Sequence, residues 1–189
     1  MRQMTLTGLL SLALLVPATT PARAQAGAET FSATATVKTS GGATATAPVT
    51  IVVDRKMSQS EADRFLTAFK TGGAAALRKA LAGVPAVGSV KLGTSAPTPA
   101  RLAIERRTDK GRLLTIVTDT PILFLGAGLP GAKPKEGYDF GLLDLEVDDA
   151  GNGKGVVSPA AKITVEKDMF VVSDYSLELV QLTAVKKVK

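Results

Sequence analysis

Tyr138-Asp139-Phe140-Gly141-Leu142-Leu143-Asp144-Leu145-Glu146-Val147-Asp148 places apolar residues at every second position. The set is first Tyr138, Phe140 and Leu142, and then, after a change of phase beside Gly141, Leu143, Leu145 and Val147. Period two marks a strand with one buried face, because successive side chains point to opposite sides. The change of phase predicts a β-bulge at Gly141. Asp149-Ala150-Gly151-Asn152-Gly153 follows, rich in residue types that accept the positive φ of a tight hairpin, and Val156 to Glu166 resumes the strand character. Strand, tight turn and strand make an antiparallel pair, and that pairing decides the fold class.

The same signal extends outward in both directions. Upstream lie Val87 to Leu92, Leu102 to Arg107, Leu113 to Thr118 and Ile122 to Leu125, with Asp109-Lys110-Gly111 as a hairpin turn between two of them. Downstream lie Met169 to Tyr175 and Leu177 to Val185. At the start, Phe31, Ala33, Ala35 and Val37 alternate with Ser32, Thr34 and Thr36, and after Ser40-Gly41-Gly42 the residues Val49, Ile51 and Val53 repeat the pattern.

One stretch breaks the period. Ala62, Phe65, Leu66 and Phe69 fall at helical spacing behind Ser58 and Glu61, a capping box, and Gly72-Gly73 predicts a stop. Ala74 to Ala82, with Leu77 and Leu81 on one face, predicts a second short helix ending at Gly83. No alternation of strand and helix supports a parallel sheet. The expectation is a mainly β, α+β protein: an antiparallel sheet of about eight or more strands, barrel or sandwich, with a helical pair inserted at about 58–82.

Residues 1–24 read as a signal peptide: Arg2, the apolar run Leu9 to Val16, Pro17, and Ala22-Arg23-Ala24 before Gln25. Met4 to Val16 is 13 residues, against roughly 20 needed to span a bilayer, so no transmembrane anchor is expected. Cleavage near Ala24 leaves a single domain, 25–189, periplasmic or secreted. Of 189 residues, 45% are hydrophobic and 21% charged, with net charge +6. The leader removes two Arg and no acid, so 21 Lys and Arg face 17 Asp and Glu, giving +4. His, Cys and Trp are absent, which excludes imidazole and thiolate metal sites, His-activated nucleophiles and disulfide scaffolds.

Several motifs carry a chemical reading beside a plainer one. Gly126-Ala127-Gly128-Leu129-Pro130-Gly131 matches G-x-G-x-x-G, but Pro130, Pro134 and Gly137 deny the helix that a dinucleotide site requires. Gly126, Gly128 and Gly131 are therefore read as a loop able to serve as a lid. Asp148 to Gly153 resembles the start of a calcium loop, but Ala150 and Pro159 stand where ligands are needed, so a hairpin is expected. Asp144, Glu146 and Asp148 share one strand face, as glycosidase carboxylates would, yet the chain has few aromatics to platform a sugar. No Ser is placed beside a Lys by any motif. Arg101, Arg106, Arg107, Lys110 and Arg112 concentrate cations around one hairpin, a candidate patch for an acidic partner or simply charged edge protection.

Phe31 to Val37, the Val49 to Asp54 strand running into a capped helix, Thr118-Asp119-Thr120-Pro121-Ile122 and Ala161-Lys162-Ile163-Thr164 resemble a family of uncharacterised exported bacterial proteins. The resemblance implies export and one domain and assigns no residue a catalytic role. The expectation is an exported, non-enzymatic binding protein for a small apolar or amphipathic ligand, with no cofactor, metal or nucleic acid. The alternatives are an envelope accessory protein docking an acidic partner through the basic hairpin and the tail lysines Lys186, Lys187 and Lys189, and a carboxylate-dependent hydrolase.

Overall fold

The computed structural model describes residues 27–38, 44–122, 136–166, 169–174 and 180–189. The strands are β1 (Glu29–Lys38), β2 (Thr44–Val53), β3 (Gly88–Leu92), β4 (Thr98–Thr108), β5 (Gly111–Thr118), β6 (Phe140–Val147), β7 (Asn152–Glu166), β8 (Met169–Asp174) and β9 (Val180–Lys187), with the helix α1 (Gln59–Ala82) between β2 and β3. Every pairing is antiparallel. β1 through β7 pair in sequence order, β9 pairs with β7 on one side and β1 on the other, and the sheet closes into an eight-stranded barrel. Closure leaves β8 outside, bonded to the far part of β7.

Closure resolves the choice between barrel and sandwich. In each strand of the barrel one parity of side chains faces inward, as Phe31, Ala33 and Ala35 on β1, Leu114 and Ile116 on β5, and Leu143 and Leu145 on β6 are all buried. A fully buried Leu, Ile or Phe contributes about 2 kcal/mol, so this inner face is the main source of stability. The other parity on β1, Ser32, Thr34 and Thr36, meets solvent. Apolar inside and polar outside is the reverse of a transmembrane β-barrel. No described helix is long and apolar enough to cross a membrane.

Three details correct the sequence expectations. The predicted helical pair is a single element kinked where the sequence places its stop: Gly72 (φ −140°) and Gly73 (φ 64°) both leave helical geometry inside it. The irregularity expected at Gly141 lies between Phe140 and Leu142, but the extra residue sits on the partner strand. β7 passes from Ser158 to Ala161 there, through Pro159, whose missing N–H suits a bulge. Gly141 itself must lack a side chain, since a Cβ would lie 2.5 Å from both Ile122 and Thr118. Ile122 is outside any strand, its N–H bonded to the Pro159 carbonyl; the rest of the expected Ile122 to Leu125 strand lies outside the described residues.

Apolar residues on both faces of β5 also find an explanation. Leu102, Val117, Leu142 and Ser158 form one row across β4, β5, β6 and β7 that faces away from the barrel interior. Leu102, Val117 and Ser158 are nevertheless buried. α1 touches β4 and β7, the strands at the two ends of that row, and so lies across it. Phe65, Phe69, Leu77 and Leu81 supply its buried face.

Candidate functional site

Glu29 stands two residues before Phe31, in the inward register of β1. Arg112 stands two before Leu114, in the inward register of β5. β1 and β5 are opposite one another in the barrel, yet the Arg112 guanidinium donates to both Glu29 oxygens, at 3.0 and 2.9 Å. The pair therefore crosses the interior at one end. Arg112 also donates to Glu105 of β4 at 2.9 Å, and its guanidinium carbon lies 6.0 Å from the Phe31 ring centroid. Lys56 reaches both carboxylates, and Lys187 of β9 donates to Glu29 at 2.8 Å.

The backbone explains how Lys56 arrives. β3 is only five residues long and pairs with β4 no further than Ala100. The chain leaving β2 fills the space below, with the Met57 N–H donating to the Ala103 carbonyl. Lys56 is thereby carried over the barrel end.

Burial by itself raises the Glu29 pKa, but hydrogen bonds from Arg112, Lys187 and Lys56 overcome it and hold the group at about 2. Glu105 is likewise lowered, with burial opposed by Lys56 and Arg112. Arg112 is raised by its bond to Glu29 against a burial cost. Charges so placed are costly unless paired, and here both carboxylates and all three cations are engaged. The cluster sits at one end of the barrel, with the buried Phe31 ring next to it on the inner face.

The other end is different. On β2, Ala45 and Ala47 face inward opposite Val37 and Ala35, yet both remain partly open to solvent. Small residues recur on the inner face, with Ala33 and Ala35 on β1 and Ala100 and Ala103 on β4. The inner face thus carries a charged cluster at one end and, at the other, two apolar positions, Ala45 and Ala47, that are partly exposed.

The structure separates the five cations of the predicted patch. Arg112 is inside the barrel cluster. Arg101 is the bulged residue of β4, and the bulge turns it to donate to Asp119 at 3.2 Å and to the Val84 carbonyl at 3.0 Å. Arg107 meets Asp149 at 3.1 Å, while Arg106 and Lys110 are exposed. Gly126, Gly128 and Gly131 lie outside the described residues. Asp144 and Glu146 stand on the outward, convex face of β6, Asp144 accepting from Thr115, and Asp148 caps the following turn by accepting from the Asn152 N–H.

Glu29, Lys56, Glu105 and Lys187 share no sequence signal as a set because their separations along the chain are long. One signal was present for Glu29: a carboxylate at the core parity of an alternating strand. No family model matches the chain, and neither a curated protein nor a solved structure matches it.

Proposed function

We propose that the protein is an exported, non-enzymatic carrier or sensor that takes one small apolar or amphipathic molecule into the open end of its barrel. The observation that supports this reading is the inward-facing Ala45 and Ala47, apolar positions on the inner face that solvent still reaches. An eight-stranded barrel has an interior just wide enough to be filled by side chains or to hold one small ligand, and small side chains on the neighbouring strands β1 and β2 favour the second use. The charged cluster at the far end supplies a floor. Export is inferred from the leader at residues 1–24, with Gln25 as the first residue of the mature chain.

Native mass spectrometry of the protein purified from an exporting bacterial host tests both parts. The expected mass begins at Gln25 and carries an adduct that organic extraction removes. Ala47→Phe, which fills the open end, is expected to abolish the adduct and the uptake of N-phenyl-1-naphthylamine. A bare chain that takes up none of this dye rejects the carrier reading, and an uncleaved leader rejects export.

A further inference from the structure

Acidic residues are distributed unevenly around the barrel. On the outer face of β4 to β7, Asp144 and Glu146 alternate with cations and apolar residues. On β9, β1, β2 and β3 the sole carboxylate is Glu29, which points inward and is buried. The outer face of these four adjacent strands thus presents hydroxyls and lysines with no acid among them. One row shows the arrangement: Lys186 on β9, Ser32 on β1, Thr50 on β2 and Lys91 on β3 are direct cross-strand partners. Beside it Thr183 pairs with Thr34. Lys186, Thr34, Thr50 and Thr183 are exposed, Ser32 and Lys91 partly so. Neither lysine makes an ion pair with a described residue.

We infer that the outer face of β9, β1, β2 and β3 is a docking surface for an acidic polysaccharide, a chain of sugar carboxylates laid across the strands. Charge complementarity selects an anion, and geometry selects a polymer. Three inter-strand steps separate Lys186 from Lys91, about 14 Å, so no single small anion bridges both. Hydroxyls both donate and accept, and the Ser32 and Thr50 positions between the lysines match sugar hydroxyls and carboxylates alike. Nucleic acid is disfavoured because this face carries no aromatic side chain for base stacking. A membrane is disfavoured because the apolar side chains at this face include the half-buried Val52 and, just past β9, the exposed Val188, but no Phe, Leu, Ile or Met to insert. The surface lies on the opposite side of the barrel from α1 and apart from the Arg106 and Lys110 hairpin.

The test is biolayer interferometry of the protein against immobilised polygalacturonate, with neutral dextran and phosphatidylglycerol vesicles alongside. Binding to polygalacturonate that weakens with added salt is expected, with none to dextran. The double variant Lys91→Gln/Lys186→Gln is expected to bind about tenfold more weakly, and Arg106→Gln/Lys110→Gln is expected to bind as the parent does. Equal binding to dextran, tighter binding to the vesicles, no binding to polygalacturonate, or a loss that follows the hairpin variant and spares Lys91 and Lys186 overturns the inference.

Discussion

Glu29 joins four parts of the chain that are far apart in sequence, and its worth is set by what its removal would strand. Arg112, Lys56 and Lys187 all converge on its two oxygens. Glu29→Gln leaves that end of the barrel with three cations and the one carboxylate of Glu105. Breaking a buried ion cluster from one side costs about 3 kcal/mol, and chemical denaturation at neutral pH is expected to read a loss of that order. The same residue sets a pH dependence. Its folded pKa, about 2, lies below its ordinary value of 4.5. The folded state therefore binds the proton less readily than the unfolded chain, and the stabilisation is complete above about 4.5. It is lost as pH falls from there toward 2. Glu61, also held at about 2 by the Ser58 backbone and side-chain hydrogen bonds and by Arg55, titrates in the same window. Glu29→Gln is thus expected to flatten only part of the acid limb of a melting-temperature profile, and an unchanged slope would show that the cluster contributes nothing to it.

At the scale of the element, α1 shows local chemistry and tertiary contact acting together. Ser58 accepts from the Glu61 N–H, Glu61 accepts from the Ser58 N–H, and Arg55 holds the same carboxylate at 2.8 Å. Ser58→Ala removes one half of the box and is expected to lower stability by about 1 kcal/mol in thermal unfolding. The box was legible because its residues are three apart. The strands were legible for a related reason: alternation is a local property, and the expected ranges for β4 to β9 overlap those observed. The bulge was harder to assign. The sequence phase changes beside Gly141, but the additional residue is in β7, where Pro159 cannot serve the ladder, and only the pairing of the two strands reveals which one carries it. Likewise Gly72-Gly73 interrupts the helical backbone as its composition predicts, but burial of Phe65 and Phe69 before it and of Leu77 and Leu81 after it holds both halves of α1 against the barrel.

Across the whole molecule, closure rests on the seam between β1 and β9, which joins the first strand to the last. The Thr30 N–H donates to the Lys189 carbonyl and the Val188 N–H to the Thr30 carbonyl, and Ala184 adopts φ 50° in the bulge that bends β9 into place. Removing residues 180–189 would expose the edges of β1 and β7 and open the apolar inner face. Such a truncation is expected to lose its cooperative thermal transition and to scatter light increasingly with concentration. A monomer that still unfolds cooperatively would show that the other seven barrel strands suffice.

The sequence by itself determined the mainly β character, the antiparallel connection of successive strands, the capped helix after β2 and the absence of imidazole and thiol chemistry. Each of these depends on residue type or on spacings of two to four positions, within which neighbours in sequence are neighbours in space. Only the tertiary structure decided that the sheet closes, that Arg112 turns inward while Arg101 is re-aimed by a bulge, and that Glu29 meets a guanidinium 83 residues away. It also decided which strands lie side by side, and so gathered the lysines and hydroxyls of β9, β1, β2 and β3 onto one face without an acid. Those outcomes depend on strand order and register, which long-range burial selects and no local pattern encodes.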